Sequence, residues 1–251
     1  MRLQLSTWPQ VEDYLQSSRG IIIPIGSTEQ HGPTGLLGTD ALCAEAVAVE
    51  AGERMGVMVA PAIPIGMAVH HMRFAGSMTF RPSTMIAVVR DWVVGLAAHG
   101  FERFLFVNGH GGNIPTLQSA WYEIHSETRE ITDRGGQGRD LRFAVQNWWA
   151  GAQVKAYCDE VFGPADGSHA TCGELSLMHF LYPDHAPMTD GLEPRIAPSH
   201  TFHDAEHYRR VHPDGRMGSD PSLANADHGG RLFDIAVTEA VGRYETLMAE
   251  D

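Results

Sequence analysis

Residues 20–26 read Gly-Ile-Ile-Ile-Pro-Ile-Gly, a β-branched run bounded by turn residues and too short for a helix. It predicts a buried strand, and the chain beyond it repeats the same alternation. Helical apolar spacing from Asp40 to Met55, carried by Leu42, Ala46 and Val49, gives way at Gly56 to a second apolar run over Val57–Ile63. The next helix has Ser83 or Thr84 as its N-cap, a stripe of Ile86, Val89, Val93, Leu96 and Ala97, and Gly100 as its stop. The strand Arg103–Val107 follows it. A further helix from about Ile114 to Arg129 and a Gly-rich, charged segment from Asp133 to Asp140 lead into a strand over Leu141–Gln146. Strands separated by helices pair in parallel, with helices covering both faces of the sheet. The expected fold is therefore α/β, a three-layer α/β/α arrangement with a mostly parallel central sheet, and residues 1–251 are read as one domain.

The second half is less regular. Residues 151–167 look like a loop with a short helix, Cys172–Leu181 like a helix, and 183–221 like a long polar stretch rich in Pro, His and Asp. Stretches of that length without secondary structure are usually functional or disordered, so this one is read as a lid or a subunit contact. An amphipathic helix from Asp227 or His228 to Met248 closes the chain.

A formal charge of −13 excludes a nucleic-acid partner, which needs clustered Lys and Arg to displace counterions. No apolar run approaches the ~20 residues that span a bilayer, so no membrane partner is expected. The amino-terminal residues lack a basic stretch followed by an apolar one, so a cytoplasmic location is expected. Cys43, Cys158 and Cys172 are odd in number and lack CxxC spacing, which reads as three free thiols.

In an open parallel sheet, ligands bind beyond the carboxyl ends of the strands. The first strand runs into Ser27-Thr28-Glu29-Gln30-His31-Gly32, the Arg103–Val107 strand into Asn108-Gly109-His110-Gly111-Gly112-Asn113, and Asp40 opens the first helix. Two acids and two histidines thus converge on one edge. Glu29 and His31, two apart, share a face if the segment is extended. Oxygen and imidazole together suit zinc, manganese or iron rather than calcium. Each element has a plainer reading: a polar loop at 29–31, a helix cap at Asp40, a tight strand-to-helix turn at 108–113. The glycines around His110 permit close backbone approach, but the GxGxxG and Lys-Ser/Thr patterns of phosphate cradles are missing.

The run PIGSTEQHG with Asp40 eleven residues after Glu29, then FVNGHGGN, then Asp166-Gly-Ser-His169-Ala-Thr-Cys-Gly-Glu174, resembles the creatininase (creatinine amidohydrolase) family in order, spacing and chain length. The resemblance covers roughly residues 20 to 240. It implies a two-metal centre held by Glu29, His31, Asp40 and His110, with Asp40 bridging. Creatinine-hydrolysing members carry a glutamate two residues after the last histidine, where this chain has Gly112. Members with the NGHGGN form use instead the glutamate five residues after the downstream histidine, which makes Glu174 the fifth ligand; the plainer reading is an exposed helix residue. Asp166 and His169 correspond to the family's catalytic pair, against the alternative of a simple Asx-turn. Ala165 stands where creatinine-specific members carry tryptophan, so a substrate other than creatinine is expected. The resemblance also implies homo-oligomers, commonly hexamers built from dimers.

The chemistry expected is hydrolysis of a C–N bond in a small, possibly cyclic amide by hydroxide held on two divalent ions, with His169 shuttling the proton and Asp166 orienting it. His70, His71, Trp148 and Trp149 are candidates for the pocket lining. Two alternatives stand beside this reading. One is a metal-dependent peptidase or deformylase acting on a modified peptide or formamide; the other is a noncatalytic metal-binding protein on the same fold.

Overall fold

The computed structural model describes residues 1–133, 140–185, 189 and 191–250. In chain order the elements are α1 (Trp8–Leu15), β1 (Gly20–Ile25), α2 (Thr39–Met55), β2 (Met58–Val59), α3 (Pro82–His99), β3 (Arg103–Asn108), α4 (Asn113–Asp133), β4 (Arg142–Asn147), α5 (Ala152–Val161), α6 (Cys172–Leu181), α7 (Ala205–Val211) and α8 (Ala226–Met248). The four strands form one parallel sheet in the order β2-β1-β3-β4. Alternate side chains divide between two cores, as the two-residue period of a strand requires. Ile22, Leu105, Val107 and Ala144 pack with Val47, Ala51, Leu177, Leu232 and Ala236 from α2, α6 and α8. Ile21, Ile23, Ile25, Phe104 and Phe106 pack on the other face with Met85, Val89, Val93, Leu117 and Ile124 from α3 and α4. The α/β/α layering expected from the alternation is what forms.

Several boundaries move for identifiable reasons. β2 ends at Val59 because Pro61 cannot donate to the ladder, and Ile63 then makes a single parallel bridge to Ile25. α3 begins at Pro82, one residue before the expected caps, since proline at the first helical position loses no hydrogen bond. Gly100 does take the left-handed conformation expected of a helix stop, with φ 119°. The amino-terminal α1, closed by a Thr7–Gln10 capping box, lacked a long apolar stripe and was not expected. Most of the Gly-rich segment before β4, residues 134–139, lies outside the described residues.

The described residues of the polar stretch 183–221 include a short helix, α7, capped by Asp204, and fold back over the carboxyl edge of the sheet. Backbone bonds Ser168 N–H to Met217 O (2.8 Å) and Met217 N–H to His169 O (3.2 Å) pin it there. A fully buried Arg216 holds it together, donating to the carbonyls of Pro194, Arg195 and Ser219 and pairing with Asp214 at 2.7 Å. Its stem packs on Gly32, where a Cβ would collide with it. Arg216→Ala leaves these acceptors without their donor and should cost on the order of 3 kcal/mol. Urea denaturation measures the cost, and limited proteolysis should show cleavage within 191–217; an unchanged midpoint would contradict this role for Arg216.

Candidate metal centre

The carboxyl ends of β1 and β3 crowd against the start of α2. A Cβ on Gly26 or Gly109 would overlap the backbone of Asp40 and Ala41, so glycine at both positions lets Asp40 sit between the two strand ends. Glu29, His31, Asp40 and His110 are all buried there. His31 Nε2 lies 3.0 Å from Asp40 Oδ1, and His110 Nδ1 lies 3.1 Å from Asp40 Oδ2 and 3.2 Å from Glu29 Oε1. Glu174 Oε2 is 4.0 Å from His31 Nε2. The five residues expected as ligands therefore come together, with the two Asp40 oxygens facing different neighbours.

Backbone carbonyls fix both imidazoles. His31 Nδ1–H donates to the Glu29 carbonyl (3.0 Å) and His110 Nε2–H to the Met67 carbonyl (3.0 Å). The nitrogens left over, His31 Nε2 and His110 Nδ1, point at carboxylate oxygens. Both Glu29 oxygens and Asp40 Oδ2 are buried without an aligned hydrogen bond among the described residues, despite the short approaches. Buried polar atoms are normally satisfied, and a lone pair facing carboxylates is repulsive unless positive charge stands between them. The titration of the groups says the same. Although burial opposes it, Asp40 holds the His31 imidazolium up to about 10. Burial likewise opposes, and Glu29 and Asp40 outweigh it, so that His110 rises well above its ordinary value. Burial works against the charged form of Glu29 too, yet His110 and His71 keep its carboxyl well below the usual range. In the absence of a cation, protons would take up the positions a cation would fill. A carbonyl–imidazole–carboxylate arrangement of this kind is how metal-binding histidines are usually oriented.

Glu174 is not an exposed helix residue. It is the third residue of α6 and forms a capping box with Thr171: Oε1 accepts from the Thr171 N–H at 2.5 Å, and Thr171 Oγ1 accepts from the Glu174 N–H. One oxygen is thereby spent on the helix and the other turned toward His31. Burial pushes this carboxyl up to about 7, against the pull of His31. Ala170, at φ 53°, makes the left-handed turn that leads from His169 into this cap.

His169 sits beside the cluster, its Nδ1 4.0 Å from Glu29 Oε1 and its Nε2–H donating to the Gln30 carbonyl at 2.8 Å. Burial, with His71 and His31 nearby, holds its pKa well below the ordinary value and keeps the ring neutral. Asp166 does not orient it, contrary to the expectation. Asp166 Oδ1 instead accepts from the Gly173 N–H (2.9 Å) at the start of α6, so the carboxylate serves the helix end, and Gln30 holds the ring.

His71 and Gln30 are the neighbours that spacing could not rank. His71 Nε2 reaches Glu29 Oε1 at 3.2 Å. Gln30, hidden between the two ligand candidates of the first motif, touches His71, His169 and Gly215. Tyr208, from the 183–221 stretch, covers His71 edge-on at 4.7 Å. His70 stacks on Phe202 at 5.2 Å and, pushed down to about 4 by burial and by His71, stays neutral. Trp148 belongs to the core rather than to a pocket, while Trp149 is only partly buried against it.

Carboxylates and imidazoles converging at the carboxyl edge of a parallel sheet are a donor set suited to divalent cations. The creatininase family profile, described as creatinine amidohydrolase, matches residues 4–243, and the chain belongs to that family. A mycofactocin precursor peptide peptidase from Mycobacterium ulcerans (strain Agy99) is 31% identical over 95% of this chain and 85% of its own length. Two solved structures, one described as creatininase Mn and one as a mutant creatininase of Zn-Zn type, each superpose with a TM-score of 0.85 at 23% identity over 98% of both chains. No helix among the described residues is long and apolar enough to cross a membrane.

Proposed function

We propose that this chain hydrolyses an amide C–N bond using two divalent cations. Glu29, Asp40 Oδ2 and His110 Nδ1 would hold one, and His31 Nε2, Asp40 Oδ1 and Glu174 Oε2 the other. The observation that carries this reading is the pair of carbonyl-anchored imidazoles whose other nitrogens face buried carboxylates, with both Glu29 oxygens and Asp40 Oδ2 lacking an aligned partner among the described residues. The donor set suits zinc, manganese or iron. Cations bound there supply Lewis-acid polarisation of the scissile carbonyl and make water more acidic. His169, neutral and with Nδ1 free, accepts the proton of the attacking water and returns it to the departing nitrogen. Its Nε2–H bond to Gln30 keeps the ring in the tautomer that this transfer needs.

We place the bond in a peptide or modified peptide. The peptidase relative supports this. The absence of the creatinine-associated side chains counts against creatinine itself: Ala165 stands where the resemblance places tryptophan, and Gly112 leaves no room for a glutamate, since a Cβ there would meet His110 and the Met67 carbonyl. Burial of the metal-facing atoms favours the second reading, a small amide that reaches the site entire. Action as one domain, as a homo-oligomer and in the cytoplasm complete the proposal, the exposed Trp8 and Tyr122 fitting burial between copies.

The test is to load the protein with zinc or manganese and incubate it with short peptides, formamides and creatinine, following products by mass spectrometry. Metal-dependent release from a peptide is expected. Turnover of creatinine or a formamide alone would move the substrate to the second reading. No metal-dependent hydrolysis of any of them would overturn the proposal.

A further inference from the structure

Two histidines near the candidate centre, His71 and His169, present different faces to it, and one residue decides both. The Gln30 side chain is oriented by two backbone groups: Oε1 accepts from the Gly32 N–H (2.8 Å) and Nε2 donates to the Gly215 carbonyl (3.0 Å). His169 Nε2 is as near, at 2.9 Å, but its own proton goes to the Gln30 carbonyl and it cannot accept, so the second amide proton goes to His71 Nδ1, also 2.9 Å away. With Nδ1 accepting, His71 carries its ring proton on Nε2. That N–H faces the cluster 3.2 Å from Glu29 Oε1, out of hydrogen-bond alignment, and makes no other hydrogen bond among the described residues. The backbone carbonyl of the same Gln30 takes the Nε2–H of His169 at 2.8 Å, so His169 offers the cluster a bare Nδ1. His71 and His169 lie against each other, with ring centroids 4.4 Å apart.

We propose that Gln30 is a positioning residue that sets a division of labour: His169 is presented as the base, and His71 as an N–H donor for the oxygen that becomes negative when the amide is attacked. This rests on the hydrolase reading above. No electrons change hands and no atom is transferred by His71; its proton stays on Nε2 while the substrate oxygen gains charge, as an oxyanion-stabilising donor requires. The Gln30–Gly215 bond also ties the pair to the overlying 194–219 stretch, so the donor is in place only when that stretch is seated.

The test uses the full-length protein with ¹⁵N-labelled histidine, with and without zinc, and assigns the His71 signals by comparison with His71→Phe. In the wild-type protein His71 is expected to show its N–H at Nε2 and none at Nδ1. Gln30→Glu, nearly the same shape, replaces the donor with an acceptor and should bring a proton to His71 Nδ1 while the His169 N–H stays at Nε2. Gln30→Met is the second variant should the glutamate fail to fold, and should loosen the tautomer so that both His71 nitrogens are partly protonated. On the zinc-loaded protein, acetohydroxamate serves as an anionic probe. His71→Phe should weaken its binding about 10- to 100-fold, the worth of a hydrogen bond to a charged group, with zinc content unchanged. A wild-type His71 protonated at Nδ1, or Gln30 variants that leave it unaltered, overturns the positioning role. Unweakened acetohydroxamate binding, or loss of zinc in His71→Phe, overturns the donor role. Failure of the wild type to take up zinc overturns the hydrolase reading instead, and the tautomers remain readable in the zinc-free protein.

Discussion

Asp40→Ala is expected to abolish binding of both cations at once and reduce hydrolysis to the uncatalysed level. The two oxygens of Asp40 face different imidazoles, Oδ1 toward His31 and Oδ2 toward His110. The variant should still fold, because its loss removes one of three crowded carboxylates, Glu29, Asp40 and Glu174, from a partly desolvated cluster. Binding to the native state alone stabilises by about 4 kcal/mol when free ligand is a thousandfold above Kd. Zinc should therefore raise the melting temperature of the wild-type protein and leave that of Asp40→Ala unmoved. His110→Ala is expected to be milder, losing the cation shared with Glu29. Elemental analysis of the three purified proteins, with scanning calorimetry, measures this. Full metal content in Asp40→Ala would remove Asp40 from the bridging role.

His169→Ala has the second largest expected effect, and a different signature. Metal content should stay at the wild-type level while turnover falls by roughly 10²–10⁴, the usual contribution of a positioned acid–base group. The distinction follows from position. His169 Nδ1 is 4.0 Å from Glu29 Oε1, whereas the nitrogens of His31 and His110 approach carboxylate oxygens at 3.0 to 3.2 Å. Its atoms nevertheless lie close enough to Glu29 and His71, and to His31 and Glu174, to join a metal shell. Loss of metal as complete as in His110→Ala would make His169 a ligand, and another group would have to move the proton.

The sheet could be read from the sequence because its determinants are local. β1 and β3 are continuous apolar runs, as strands buried on both faces must be, and the glycines after α2 and α3 stop those helices where expected. The cluster of Glu29, His31, Asp40 and His110 was legible because strand ends meet along one edge whatever the details of packing. Glu174 came only from the family resemblance, since nothing local distinguishes a capping glutamate with one free oxygen from an exposed one. Asp166 was misjudged for the related reason that an acid three residues before a histidine can serve either the ring or the next helix, and here Gly173 claims it. The contributions of Tyr208, Gly215 and Arg216 depend on how a polar stretch folds back over the sheet. That is settled by a buried arginine and a few carbonyls, with no periodicity to reveal it. Gln30 lay inside the recognised motif, but its value comes from contacts 41 and 139 residues away.

The most direct measurement is a crystal structure of the metal-loaded protein with anomalous scattering recorded at the absorption edge of the bound metal. Two peaks about 3.5–4 Å apart are expected, as in two-metal hydrolytic sites. One should lie among Glu29, Asp40 Oδ2 and His110 Nδ1, the other among His31 Nε2, Asp40 Oδ1 and Glu174, with His169 Nδ1 bound to neither. A single peak, or a peak held by Glu29, His71 and His169, would contradict a two-cation amide hydrolase built on Asp40.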